Sequence, residues 1–447
     1  MSSTPRTPHH DTATGTPVAD ELIAPPLVNP PVAEPVVADT PSDVPRPRRT
    51  RLLGLDGPRG VACMGVLVVH VAGHYSPSTL EKYHVDLVGQ GVTFFFVLSG
   101  FLLFLPFARA LVSDKAMPAT RAYALHRVFR IFPAYLLIFL IVNFAMRAAY
   151  LRNAAEVTVP GQDRGMGMIT DPLELLLNLT LTQSFVPRYL QTGINPSWSL
   201  TTELCFYVSL PIVGVLLHRI HHRFRTSPAL LMIAAGVVYI VVGTLGKGVA
   251  GLLESTAGTD SPALLTWGPN WAAVTNRSFL GLADTFGFGI IAAGIFVLVE
   301  RVPRPGWMVR RMRHVIAVAA IVVLPVGLLT IALHLKIQSS LVALASAMLI
   351  LFIIAPLGRG EESRFARWAD WTPLRFLGEV SLSIYLWHFP VLIVLGRLGW
   401  VRGDTVSGML INSVLVGAVS VVLAAATYRF VELPAVNYAR RFKSGRR

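Results

Sequence analysis

Two cysteines in 447 residues are too few for a disulfide framework. Cys63 and Cys205 both sit in apolar runs without metal-ligand spacing, which leaves packing as their role and gives no reason to expect a metal. Charge is scarce as well: 14% of the chain is charged against 53% apolar, and the mean hydropathy is +0.57. A chain of that composition is an integral membrane protein rather than a water-soluble domain. Acidic residues are the scarcer sign, 25 against 39 Lys and Arg, for a net charge of +14. There is no Gly-x-Ser-x-Gly elbow to supply a serine nucleophile. The N-terminus has no charged segment followed by an apolar run and a cleavage site, so it is not read as a signal peptide.

Eleven of the 31 prolines fall in the first 50 residues, where neither a helical nor a strand period persists. Residues 1–51 are therefore expected to be a disordered, Pro-rich cytoplasmic arm whose basic end (Arg46, Arg48, Arg49, Arg51) meets the anionic membrane surface. Beyond it the sequence predicts an all-α membrane domain over 52–435 and a basic cytoplasmic tail over 436–447. Apolar segments able to cross about 30 Å of hydrocarbon predict ten transmembrane helices, at 58–78, 88–108, 130–150, 199–218, 228–250, 277–300, 314–335, 338–358, 376–397 and 406–430. Every second connection is rich in Lys and Arg, among them HRIHHRFR at 218–225 and RVPRPGWMVRRMR at 301–313, whereas 253–272 is nearly free of positive charge. Both termini are therefore expected in the cytoplasm of a multi-pass protein of the inner (plasma) membrane, with lipid as its surroundings. The positive charge is this asymmetry, and nucleic acid is not an expected partner.

Ionisable residues inside such helices are costly and mark functional sites by default. At about 1.5 Å per residue, His70 lies about 16 Å past Arg59 and His388 about 18 Å from the start of its helix. Glu203 lies about 7 Å, and Asp284 about 10 Å, from the opposite face. Four ionisable side chains on four helices thus share one layer between the middle and outer half of the bilayer. Each can also be read as an interhelical hydrogen-bonding residue, the reading preferred for His388.

LDGPRGVACMGVLVVH at 55–70 resembles the first helix of the membrane-bound acyltransferase family 3. The motifs GVTFFFVLSGFLL (91–103), HRVFRIFPAY (126–135), NPSWSLTTELCFY (195–207), FLGEVSLSIYLWHFPVL (376–392) and TYRFVELP (427–434) follow in the family's order. The resemblance implies transfer of an acyl group, commonly acetyl from acetyl-CoA as co-substrate, to a hydroxyl of a carbohydrate, glycolipid or secondary metabolite; the Ala-, Val- and Arg-rich, Lys-poor composition fits a high-GC bacterium, whose cell envelope would hold such acceptors. It implies that His70 and Arg59 are the essential pair of the first helix, Arg127 and Arg130 the family's RxxR, and Glu203 the acidic residue of the WSL motif. Here that motif reads TTEL, where many members carry two successive acidic residues. The chain's end shortly after TYRFVELP matches relatives without an appended extracytoplasmic domain, which complete transfer themselves or hand the acyl group to a separate partner.

The chemistry of the residues agrees. A neutral histidine can take the proton of an alcohol attacking a thioester, and guanidinium forks suit the phosphates of coenzyme A. That makes His70 the expected general base and Arg59, Arg127 and Arg130 the expected donor-binding set, with positive-inside topology as the other reading of the last two. Glu203 is the expected partner that orients His70, ahead of Asp284, with Asp56 the worst placed of the three. The competing function is a proton- or solute-coupled transporter, but no paired helices broken by Gly or Pro point to inverted repeats.

Overall fold

The computed structural model describes residues 52–157, 165–301, 306–333, 335 and 337–443. The expected arm over 1–51 and the last four residues of the expected basic tail lie outside the described residues. The described residues are mainly helical, with turns between the helices and a two-residue antiparallel pairing of Ala149–Tyr150 with Met166–Gly167.

The principal helices are α1 (Asp56–Tyr75), α2 (Gly91–Val112), α3 (Thr120–Leu140), α4 (Trp198–Phe224), α5 (Pro228–Leu253), α6 (Phe279–Arg301), α7 (Gly306–Ala332), α8 (Gln338–Ile354), α9 (Thr372–Glu379), α10 (Ser381–Arg397), α11 (Val406–Thr427) and α12 (Leu433–Arg440). Among the described residues, eight helical segments are long and apolar enough to cross a membrane, and the bent pair α9–α10 makes a ninth. The tenth expected segment is α1. Its 20 residues reach about 30 Å, but Asp56, Arg59, His70 and His74 hold its hydropathy down.

Two expected helices differ in the structure. The third helix was expected at 130–150 and instead runs over Thr120–Leu140, continuing through a π turn to Ala145. Arg121, Arg127 and Arg130 are therefore helical rather than in a loop, because a charged helix end extending past the apolar layer resembles a connection in sequence. The ninth helix is not continuous: α9 meets α10 at 74°. The bend lets α9 lie against the start of α1, where a Cβ on Gly378 would come within 1.9 Å of the Asp56 carbonyl oxygen. The fourth helix starts at Trp198, within a residue of its expected start at 199. Every residue from 190 to 202 is buried, because the segment before α4 folds into the protein: the Gly193 backbone exchanges two hydrogen bonds of 2.9 Å with Tyr150.

Packing at the centre is aromatic and tight. Phe286 of α6 stacks on Phe206 of α4 with centroids 4.2 Å apart and touches Phe96 of α2 at 4.9 Å. Such pairs add about 0.5–1.5 kcal/mol beyond their buried area. α5 and α6 approach backbone to backbone, so that a Cβ on Gly246 would stand 2.1 Å from the Leu280 carbonyl oxygen, as small residues permit between membrane helices. After α11, a π turn over Tyr428–Glu432 leads into α12, whose Tyr438 ring rests 5.4 Å from Phe129 of α3.

Candidate active site

The first helix is fixed at its start by Asp370, whose carboxylate accepts the backbone N–H of Gly54 at 2.6 Å and of Gly57 at 3.0 Å. Both otherwise orphaned donors of the helix entry are thereby satisfied. One turn later Arg59 donates to Asp56 at 3.4 Å and, through its other terminal nitrogen, to the Ser381 hydroxyl at 3.1 Å. Its guanidinium is held between α1 and α10.

Arg59 opens onto a cavity of about 600 Å³ that Arg127, Arg130, Glu203 and Tyr385 also line. The three arginines expected to bind the donor thus come from α1 and α3 to one space. Arg130 is anchored from behind: it donates to Glu432 at 3.1 Å, and the other oxygen of that fully buried carboxylate accepts the Ser383 hydroxyl. Arg127 lies over the Tyr207 ring at 5.7 Å, and its buried Nε has no hydrogen-bond partner among the described residues. A buried guanidinium N–H with no protein acceptor is suited to donate to an anionic group.

Glu203 accepts the Ser99 hydroxyl at 2.6 Å in the wall of this cavity. It is not the polar partner of His70. That partner is His388: His70 Nδ1 and His388 Nε2 are 2.8 Å apart, with the rings stacked at 5.1 Å and inclined by 7°. The correction has a lateral cause, since helical rise gives depth in the membrane but not which helices are neighbours. α1 packs against α10, and Glu203 on α4 faces the arginines.

The hydrogen bonds assign the tautomers of the histidine pair. His388 Nδ1 lies 3.3 Å from the Ile384 carbonyl oxygen, which can only accept, so Nδ1 carries the proton and a neutral His388 offers Nε2 as an acceptor. His70 must then donate from Nδ1. Its Nε2 is left with a free lone pair, the form a general base needs. His388 thereby fixes the tautomer and orientation of the His70 ring through a neutral acceptor, in the place that a carboxylate takes beside the histidine of a catalytic triad.

Tyr385 joins the two regions. It lines the cavity, its ring is 5.8 Å from that of His388, and its hydroxyl is held by Ser199 at 2.8 Å and the Pro196 carbonyl at 3.0 Å. Asp284 belongs elsewhere: its carboxylate is paired with Lys247 of α5 and with Ser340 of α8, which also accepts from Lys247 at 2.8 Å. Sequence reasoning passed over Lys247 and Glu432. The signal for Lys247 was present, because a lysine in an apolar helix requires an intramembrane partner and Asp284 is within reach of few others.

Comparison with known proteins bears on what this arrangement serves. The family described as "Acyltransferase domain" matches residues 52–429. The chain is 30% identical to acyltransferase MdmB of Streptomyces mycarofaciens over 203 residues, covering 44% of this chain and 46% of that one. It is 23% identical to putative peptidoglycan O-acetyltransferase YrhL of Bacillus subtilis over 394 residues, covering 85% and 54% of the two chains. With O-acetyltransferase OatA of Staphylococcus aureus the identity is 23% over 406 residues, covering 86% and 57%. The chain spans about half the length of these curated relatives. No solved structure matches it.

Proposed function

The chain belongs to the membrane-bound acyltransferase family 3, and from that premise we propose that it transfers an acyl group, acetyl in the first instance, from cytoplasmic acyl-coenzyme A to a hydroxyl on a carbohydrate, glycolipid or secondary metabolite. One observation carries the reading: an arginine-lined cavity adjoins, through Tyr385, a histidine pair whose tautomers leave His70 Nε2 free. Arg59, Arg127 and Arg130 hold the phosphates of the donor, and its pantetheine arm runs past Tyr385 toward His70.

In the transfer, His70 Nε2 takes the hydroxyl proton as the alcohol oxygen bonds to the thioester carbonyl carbon. The tetrahedral intermediate collapses with cleavage of the carbon–sulfur bond. The departing thiolate receives the proton from His70, so the products are the ester and free coenzyme A. No metal is needed for these steps. Glu203, among the arginines and bonded to Ser99, acts on the donor side rather than on His70. The inner membrane is the proposed location, with the arginine cavity on the cytoplasmic side because that end of the bundle carries the basic connections. The acceptor hydroxyl then enters from the other face, and a separate extracytoplasmic acyl-accepting partner is compatible with that route.

His70→Ala tests the reading directly. The variant should lose at least a hundredfold in kcat, as removal of a general base typically costs about 10²–10⁴, while coenzyme A still raises its thermal midpoint as it does for the wild type. Activity within tenfold of wild type would exclude His70 as the base.

A further inference from the structure

The TYRFVELP segment supplies the carboxylate that anchors Arg130, and together with the helix it leads into, it also lines one side of the cavity. Tyr428, Leu433, Val436 and Arg440 all line it. In an uninterrupted α-helix Tyr428 and Leu433 would point in different directions. Here the Leu433 N–H bonds the Tyr428 carbonyl five residues back, and this wider π turn brings residue i+5 back over residue i. From Leu433 onward, ordinary α-helical spacing keeps Val436 and Arg440 on the same face. The π turn therefore sets the phase of α12, and within it Glu432 turns inward to hold Arg130.

Charge at the cavity is unevenly spent. Arg59 is paired with Asp56, and Arg130 with Glu432. Of the cavity's carboxylates, Glu379 lies 3.6 Å from Arg375 and Glu203 accepts from Ser99. Among the described residues neither Arg127 nor Arg440 has a carboxylate partner. Arg127 is inside, with a buried nitrogen lacking an acceptor, and Arg440 is exposed at the end of α12. A ligand with an anionic group deep in the cavity and a further one at its rim would meet both.

We propose that Arg440, phased onto the cavity by the π turn over Tyr428–Glu432, is a further binding residue for a phosphate of the acyl donor at the cavity rim. The proposal rests on the donor reading above and adds a residue to it. It commits to phosphate chemistry, because the planar fork of an arginine at an open rim recognises phosphate oxygens in pairs. A nucleotide-bearing thiol and an anionic lipid headgroup share that chemistry, and the test separates them.

The full chain is purified in neutral detergent as wild type, Arg440→Gln, Arg440→Lys and Arg441→Gln. Arg441 is the control, since it is the next residue, out of phase, with its guanidinium 5.6 Å from the Tyr438 ring. Binding of coenzyme A, of pantetheine, which lacks the nucleotide and its phosphates, and of phosphatidylglycerol is measured for each. The expected result is that Arg440→Gln weakens coenzyme A about tenfold, the loss of one charge-assisted contact, and leaves pantetheine unchanged. Arg440→Lys should recover part of the loss, and Arg441→Gln should match the wild type. If the wild type binds coenzyme A and Arg440→Gln binds it equally well, the inference is overturned while the donor reading stands. A wild type that does not bind coenzyme A overturns the donor reading and the inference with it. Loss of phosphatidylglycerol binding alone in Arg440→Gln would assign Arg440 to lipid and overturn the inference. Equal loss of coenzyme A and pantetheine would mean a distorted cavity, which also overturns it.

Discussion

At the scale of single residues, the histidine pair and Glu203 are predicted to fail differently when mutated. His388 touches His70 and Glu203 touches the cavity wall, so His388→Ala should lower kcat with donor affinity kept, whereas Glu203→Gln should change the apparent KM for the donor more than kcat. The loss for His388→Ala should be about tenfold to hundredfold, less than removal of the base itself. Steady-state kinetics at fixed acceptor separates the two, and a kcat defect confined to Glu203→Gln would return Glu203 to the side of His70. The sequence marks all these residues as intramembrane and ionisable, and that much is legible. Pairing is not: His70 is 318 positions from His388, and whether two residues at equal depth touch depends on the lateral order of helices, which helical rise does not encode.

Among elements, α5, α6 and α8 are joined by the Lys247–Asp284–Ser340 cluster, in which Asp284 is completely buried. Leaving one buried charge without its partner costs about 3–5 kcal/mol, while replacing both with uncharged groups is close to neutral. Lys247→Met and Asp284→Asn should therefore each lower the thermal midpoint in detergent strongly, and the double variant should recover most of the loss. Activity per folded molecule should be unchanged in all three. Additive destabilisation would mean that the charges do not stabilise one another. Helices of this kind are easily found in sequence, since α5 and α6 are long, apolar and uniform. The π turn before α12 and the 74° bend between α9 and α10 are not, because each is set by what packs against it: Glu432 must reach Arg130, and α9 must lie on α1. The arginines of α3 are hard to place from sequence for a related reason, because a charged helical turn facing a cavity and a charged loop have the same composition.

For the molecule as a whole, the arginine cavity and the basic connections lie at one end, and His70 and His388 lie deeper, beyond Tyr385. The polar residues thus trace a line from a charged mouth to the histidine pair within the bundle, which suits the proposed donor, held at one side and delivering only its acyl end. The proposed mechanism therefore depends on sidedness, because a coenzyme A thioester is cytoplasmic and could not reach a cavity that opened outward. Lys115, in the connection between α2 and α3, and Asp260, in the connection between α5 and α6, are both exposed and belong to opposite ends. In a variant with Cys63 and Cys205 replaced, Asp260→Cys should react with a membrane-impermeant maleimide in intact cells, and Lys115→Cys only after permeabilisation. The opposite pattern would place Arg59, Arg127 and Arg130 outside the cell. A cytoplasmic acyl-coenzyme A could not then reach them, and the direction of transfer proposed here would have to be abandoned.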